Sequence, residues 1–180
     1  MRQHSTHNRA RSAFTLVEIL VVVTILGIIG AVVGVQLGSR GDLQVDSAAR
    51  TLSANVQYAQ SLAIARGTPH YLYVSGDSVT VSTLEADGTW TPVTHPVEKT
   101  DLTISFGSVG TNGGEGVSLD SYSFDGGDVF GFDANGEPVA CASDGTGTAS
   151  AVNEINFVMS VEDWHRTVTV QPVTGETSIQ

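Results

Sequence analysis

The stretch FTLVEILVVVTILGIIGAVVGVQL, residues 14–37, decides how the rest of this 180-residue chain is read. Its 24 residues hold one charge, Glu18. As a helix they rise about 36 Å, enough to cross a hydrocarbon core of about 30 Å with some tilt. Arg2, Arg9 and Arg11 precede the run, and no acid stands among the first 13 residues. A secretory signal peptide shares that basic lead-in, but its apolar region spans only about 7 to 15 residues and ends in a small-residue cleavage site. Gly38, Ser39, Arg40 and Gly41 are where such a cut would fall; the length of the run and its early acid favour a single-pass membrane helix. The flanking charge keeps the N-terminus cytoplasmic and exports the remainder.

A carboxylate inside such a span costs several kcal/mol unless something neutralises it, so Glu18 is a functional residue by default. The competing account is that Glu18 snorkels to the headgroups from near the start of the helix. Ala13, Phe14, Thr15, Leu16, Val17, Glu18 and the apolar run behind them resemble the processing and methylation site of type IV pilins and type II secretion pseudopilins. The resemblance implies a leader, residues 1–13, cut by a prepilin peptidase between Ala13 and Phe14, with methylation of the new Phe14 amine. The family usually has Gly before the cut, and Ala13 is a small departure. The Phe14 amine and Glu18 lie one helical turn apart on one face. In a filament, Glu18 would pair with the amine of a neighbouring subunit, relieving the desolvation cost of both charges.

Beyond the leader, five bases (Arg40, Arg50, Arg66, Lys99 and Arg166) face all 19 acids, which leaves that part of the chain at −14 with His neutral. So acidic a surface repels phosphate backbones, and no nucleic-acid partner is expected. About 140 exported residues suffice for one core. Cys141 is the only cysteine, which excludes an intrachain disulfide.

Leu52, Val56, Ala59 and Ala63 recur at helical spacing, so residues 38–66 read as an amphipathic continuation of the helix. Gly38 and Gly41 weaken the join and predict a bend. Arg66, Gly67 and Pro69 predict its end. From residue 67 to 180 the chain reads as an antiparallel β-domain. Its strands are expected at 70–74, 78–84, 102–106, 117–124, 129–132, 138–142, 154–161, 165–171 and 176–179. Turns are expected at Ser75, Gly76, Asp77, at Asp133 to Gly136 and at Thr174, Gly175. The polar segments 108–116 and 143–150 read as exposed loops. The fold class is thus α+β: a long N-terminal helix packed on an antiparallel sheet domain, pilin-like.

The helix ending Ala63, Ile64, Ala65, Arg66, Gly67, the strand directly after it, and the hairpin of residues 156–161 and 166–170 resemble the H-type minor pseudopilins and their FimT-like pilus relatives. Major pseudopilins typically have a shorter β-region, and K-type tip subunits lack the acid that stands here as Glu18. The implied role is a structural subunit that helps initiate or form the tip region of a periplasmic pseudopilus. The implied partners are other minor and major pseudopilins, the prepilin peptidase and the inner-membrane secretion platform. A minor pilin of a type IV pilus is the alternative. FimT-like DNA uptake is disfavoured, because the C-terminal region offers only Arg166 beside Glu162, Asp163 and Glu176.

No enzymatic signature accompanies these features. His70, His95 and His165 are far apart, no Gly-x-Ser-x-Gly elbow occurs, and Cys141 lacks a local catalytic neighbourhood. Asp125 and Asp128, then Asp133, Asn135 and Glu137, offer oxygen ligands in a Gly-rich region, and calcium takes six to eight of them. Asp and Asn are also ordinary turn residues. Turns are the favoured reading, and no cofactor is expected.

Overall fold

The computed structural model describes residues 15–36, 40–107, 113–124, 129–142, 150–152 and 155–180. It divides into two units, Met1–Ser39 and Arg40–Gln180.

In the first unit, α1 (Leu16–Gln36) is apolar on every side, with Leu16, Val17, Ile19, Leu20, Ile28 and Ile29 among its exposed side chains. A helix without a polar face has no preferred side to turn toward a protein core and suits an apolar surround. Among the described residues, no helix is long and apolar enough to cross a membrane. The 24-residue run read from the sequence begins and ends outside them, at Phe14 and Leu37.

The second unit opens with α2 (Arg40–Arg66). Val45, Ala48, Ala49, Leu52, Ser53, Val56, Ala59 and Ala63 form its buried stripe, and the four apolar residues expected on that face are all fully buried. Gly67, at φ +64°, ends the helix in the left-handed conformation that glycine adopts at least cost.

Twelve strands follow: β1 (His70–Ser75), β2 (Ser78–Leu84), β3 (Trp90–Pro92), β4 (Thr103–Gly107), β5 (Gly114–Glu115), β6 (Ser118–Phe124), β7 (Val129–Phe132), β8 (Pro138–Cys141), β9 (Ser150–Ala151), β10 (Ile155–Val161), β11 (Trp164–Val170) and β12 (Thr177–Ile179). Eight form one sheet in the order β5-β4-β2-β1-β7-β8-β9, with β3 also on β2. The other four form a sheet in the order β12-β11-β10-β6. One edge of β2 is shared: Thr80 faces Thr103 of β4, and Ser82 faces Pro92 of β3. Proline tolerates such a sheet edge because it has no N–H to give a further strand.

The helix packs against β1, β5 and β7 of the first sheet and β10, β11 and β12 of the second. Phe130 of β7 meets Phe132 of the same strand, Phe157 of β10 and Phe124 of β6 in that core, with Phe124 and Phe157 ring centroids 5.2 Å apart. Asp77, in the β1–β2 turn, ties the sheets together. Its carbonyl accepts from Phe106 N at 2.8 Å and its Oδ1 accepts from Leu119 N at 3.0 Å.

Three expectations change. Strands β3, β5 and β9 carry almost no local signal, being two or three residues long, and form only because neighbouring strands offer an edge. The 108–116 segment is not all exposed loop. Residues 108–112 lie outside the described residues, but Gly113 is buried, and a Cβ there would stand 2.5 Å from Phe106 Cδ1. Gly114–Glu115 then pairs in parallel with Phe106 and Gly107, the one exception to antiparallel pairing among the described strands. Of the 143–150 segment, 143–149 lie outside the described residues, and Ser150 pairs with Ala140.

Candidate functional site

Ala13 and Phe14 lie outside the described residues; Glu18 stands in the first turn of α1. Thr15 caps that helix: its Oγ1 accepts from Glu18 N at 3.2 Å, and its carbonyl accepts from Glu18 N at 3.1 Å and Ile19 N at 3.2 Å. Thr-x-x-Glu is the spacing of a capping box, which places a threonine oxygen over the N–H three residues on. That signal, Thr15 to Glu18, was readable in the sequence and was missed. It fixes where the helix starts, and the acid at its third position suits the positive end of the helix dipole. Apart from Thr24, whose hydroxyl donates back to Leu20 O, apolar residues and glycine fill the next three turns, and this carboxylate is the only charge on the described part of α1.

Asp133, Asn135 and Glu137 do come together, as one turn between β7 and β8. Asp133 Oδ1 accepts from Asn135 N at 2.9 Å and Glu137 N at 2.8 Å, while Oδ2 accepts from Asn135 Nδ2 at 3.0 Å. Partial burial acts to raise the Asp133 pKa, but the N–H groups of Glu137, Asn135 and Gly136 and the Asn135 amide outweigh it and hold the carboxyl below its ordinary value. Its oxygens are thus turned inward onto the chain's own donors. Among the described residues, no group of three or more His, Cys, Asp or Glu is placed to hold a metal ion. Asp125 and Asp128 lie outside those residues.

The histidines each have separate surroundings. His70 is buried, with Nδ1 2.8 Å from Thr68 O and Nε2 3.4 Å from Arg66 Nη1. His95 Nδ1 accepts from Val97 N and Glu98 N. His165 is exposed, 3.8 Å from Asp120. Cys141 is buried with Tyr71, Val129 and Val139 in a small cluster apart from the main core.

The sequence also concealed how α2 holds the C-terminal strands. Gln60 Nε2 donates to Gly136 O at 2.9 Å and to Thr174 O at 2.8 Å, so one amide joins a turn from each sheet. Gly175, at φ +70°, has no room for a side chain: a Cβ would stand 2.4 Å from Gln60 Nε2. Gln57 Nε2 donates to Thr177 Oγ1 at 2.8 Å, and Ser53 also meets that hydroxyl. Arg166, the only Lys or Arg after Lys99, is paired with Asp42 near the start of α2.

No curated protein matches this chain. The minor pseudopilin EpsH from the type 2 secretion system of Vibrio cholerae is similar in structure, at 15% identity and a TM-score of 0.51, over 76% of this chain and 96% of that one. The type IV minor pilin FimU of Pseudomonas aeruginosa also aligns, at 17% identity and a TM-score of 0.43, over 75% of this chain and 91% of that one. The likeness to EpsH is one of fold. Residues 8–34, which enclose Glu18 and the Thr15 cap, match the prokaryotic N-terminal methylation motif. Residues 48–174, from the buried stripe of α2 to the turn that Gln60 holds, match the type II transport protein GspH family. The chain belongs to that family, that of the H-type minor pseudopilins.

Proposed function

We propose that this chain is a processed minor pseudopilin of a type II protein secretion system, a structural subunit that helps initiate or form the tip region of a periplasmic pseudopilus. The observation that carries this reading is the pairing of two matches in one chain, the methylation motif over 8–34 and the GspH family over 48–174. The peptidase cuts between Ala13 and Phe14, and the Phe14 amine is methylated. The apolar run holds the subunit in the inner membrane with its N-terminus cytoplasmic and its β-domain periplasmic. Other minor and major pseudopilins and the inner-membrane platform are its partners. It catalyses no reaction, and it is assigned no metal: both carboxylate oxygens of Asp133 already accept from the chain's own donors. Arg166, paired with Asp42, is poorly placed to take a phosphate, which weighs against DNA capture in a pilus.

Co-expression with the peptidase should remove 13 residues and leave a methylated Phe14, read by intact mass of the membrane fraction. A mature terminus near Ser39 would overturn the assignment in favour of a signal peptide. Glu18→Leu should still insert and be cleaved but fail to crosslink to partner pseudopilins or support secretion of a reporter cargo. Glu18→Gln keeps the shape without the charge and separates ion pairing from hydrogen bonding. Full secretion by both variants would make Glu18 a snorkelling residue only.

A further inference from the structure

The tip of the β10–β11 hairpin reaches the first turn of α2. A Cβ on Gly41 would stand 2.7 Å from Trp164 Cδ1, 3.4 Å from Trp164 Nε1 and 3.6 Å from Val161 Cγ1. Gly41 therefore does more than weaken a helix: its bare backbone is the floor on which the indole rests. The five-membered edge of Trp164 faces the helix, and the side chain as a whole is 41% exposed. Leu43, in the same first turn, is 66% exposed. The Arg166–Asp42 pair fixes the hairpin to this end of the helix from β11.

This end of α2 is set apart by connectivity. Gly41 is four residues beyond Leu37, the last residue of the apolar run. Four residues span at most about 14 Å even when fully extended. Trp164 is thus tethered close to wherever that run leaves the membrane. Indole combines a large apolar body with one N–H donor, and tryptophan gathers at the headgroup level for that reason.

We propose that Trp164, seated on Gly41, is an interfacial anchor that sits in the headgroup layer of the membrane holding the apolar run, and so ties the β-domain to the membrane surface before assembly. Glu162 and Asp163 form the hairpin turn beside it, and Arg166 is already neutralised by Asp42. Arg40 is the base that adjoins Gly41 in sequence. With two acids against that one base, the tip favours zwitterionic over anionic headgroups. This surface rests on the membrane-anchored reading above, and the test separates the two.

The full chain carries only two tryptophans, so Trp90→Phe leaves Trp164 as the sole reporter. That variant is placed in phosphatidylcholine nanodiscs, one copy per disc, with lipids brominated either near the headgroup or near the chain end. Trp164 emission should be blue-shifted, largely quenched by the shallow bromines, little affected by the deep ones and protected from acrylamide. Quenching should weaken when phosphatidylglycerol replaces much of the phosphatidylcholine. As a second measurement, Trp164→Phe in the otherwise natural chain should lose most of the shallow quenching. A chain that co-elutes with the discs while Trp164 stays open to acrylamide and untouched by bromine overturns the anchor and leaves membrane insertion standing. Protection that appears only with several copies per disc, without bromine quenching, assigns Trp164 to a neighbouring subunit and also overturns it. Failure to co-elute overturns the membrane reading itself, and the anchor with it.

Discussion

Helices α1 and α2 follow each other in the chain but obey opposite rules. Every side of α1 is apolar and its large side chains are exposed, whereas α2 confines its apolar residues to one buried stripe and turns charges such as Asp46 and Arg50 outward. A stripe has a direction and can be satisfied by the chain's own sheets. A uniformly apolar cylinder cannot, because whichever side were covered, the others would remain in water. The difference separates two kinds of instruction: α2 is part of the β-domain's interior, whereas α1 calls for an apolar surround on every side.

The strongest way to break this contrast is to remove each helix. A chain beginning near Asp42 should fold cooperatively as a soluble acidic protein, whereas one beginning at Gly67 loses the whole buried stripe and should show no cooperative unfolding transition by circular dichroism. Equal stability of the two would mean that α2 does not close the core. Single residues come next. Leu52→Ala should cost about 2–5 kcal/mol in denaturant unfolding of the Arg40–Gln180 unit. Leu20→Ala in α1 should change that same transition by less than about 0.5 kcal/mol.

A smaller effect tests whether the polar side of α2 also belongs to the interior. Gln60→Ala removes the donor to Gly136 O and Thr174 O and should cost about 1–2 kcal/mol. It should also speed amide exchange in both turns. A smaller cost again concerns the turn that Gln60 holds. Asp133→Ala should cost about 0.5–1 kcal/mol at neutral pH, since its carboxylate gathers three donors in a partly solvated site. Because the folded Asp133 pKa is lowered, its stabilisation is complete above the ordinary carboxylate pKa and is lost as pH falls through the folded value. The gap between natural chain and variant should therefore close in acid. A gap that widened on acidification would contradict the turn described here. A double-mutant cycle with Gln60 should show coupling, as both act on one turn.

Local rules made the frame of this molecule legible. An unbroken apolar character marks the helix Leu16–Gln36, a period of 3.6 marks Leu52 to Ala63, Gly67 marks the stop, and Asp133 to Gly136 marks a turn, each within a few residues and without reference to the rest of the chain. The motif around Glu18 was also readable, since it is one short linear run whose match to the N-terminal methylation motif needs no tertiary contact. Other contacts depend on parts that meet only when the fold is complete. Asp77 between two sheets, Gln60 between two turns and Trp164 on Gly41 join residues from about 30 to more than 120 positions apart. No window of sequence contains both partners, so periodicity could not reveal them. Gly41 shows the division most sharply: by itself it reads as a flexible joint, and only the arrival of the β10–β11 hairpin makes its missing side chain a packing requirement.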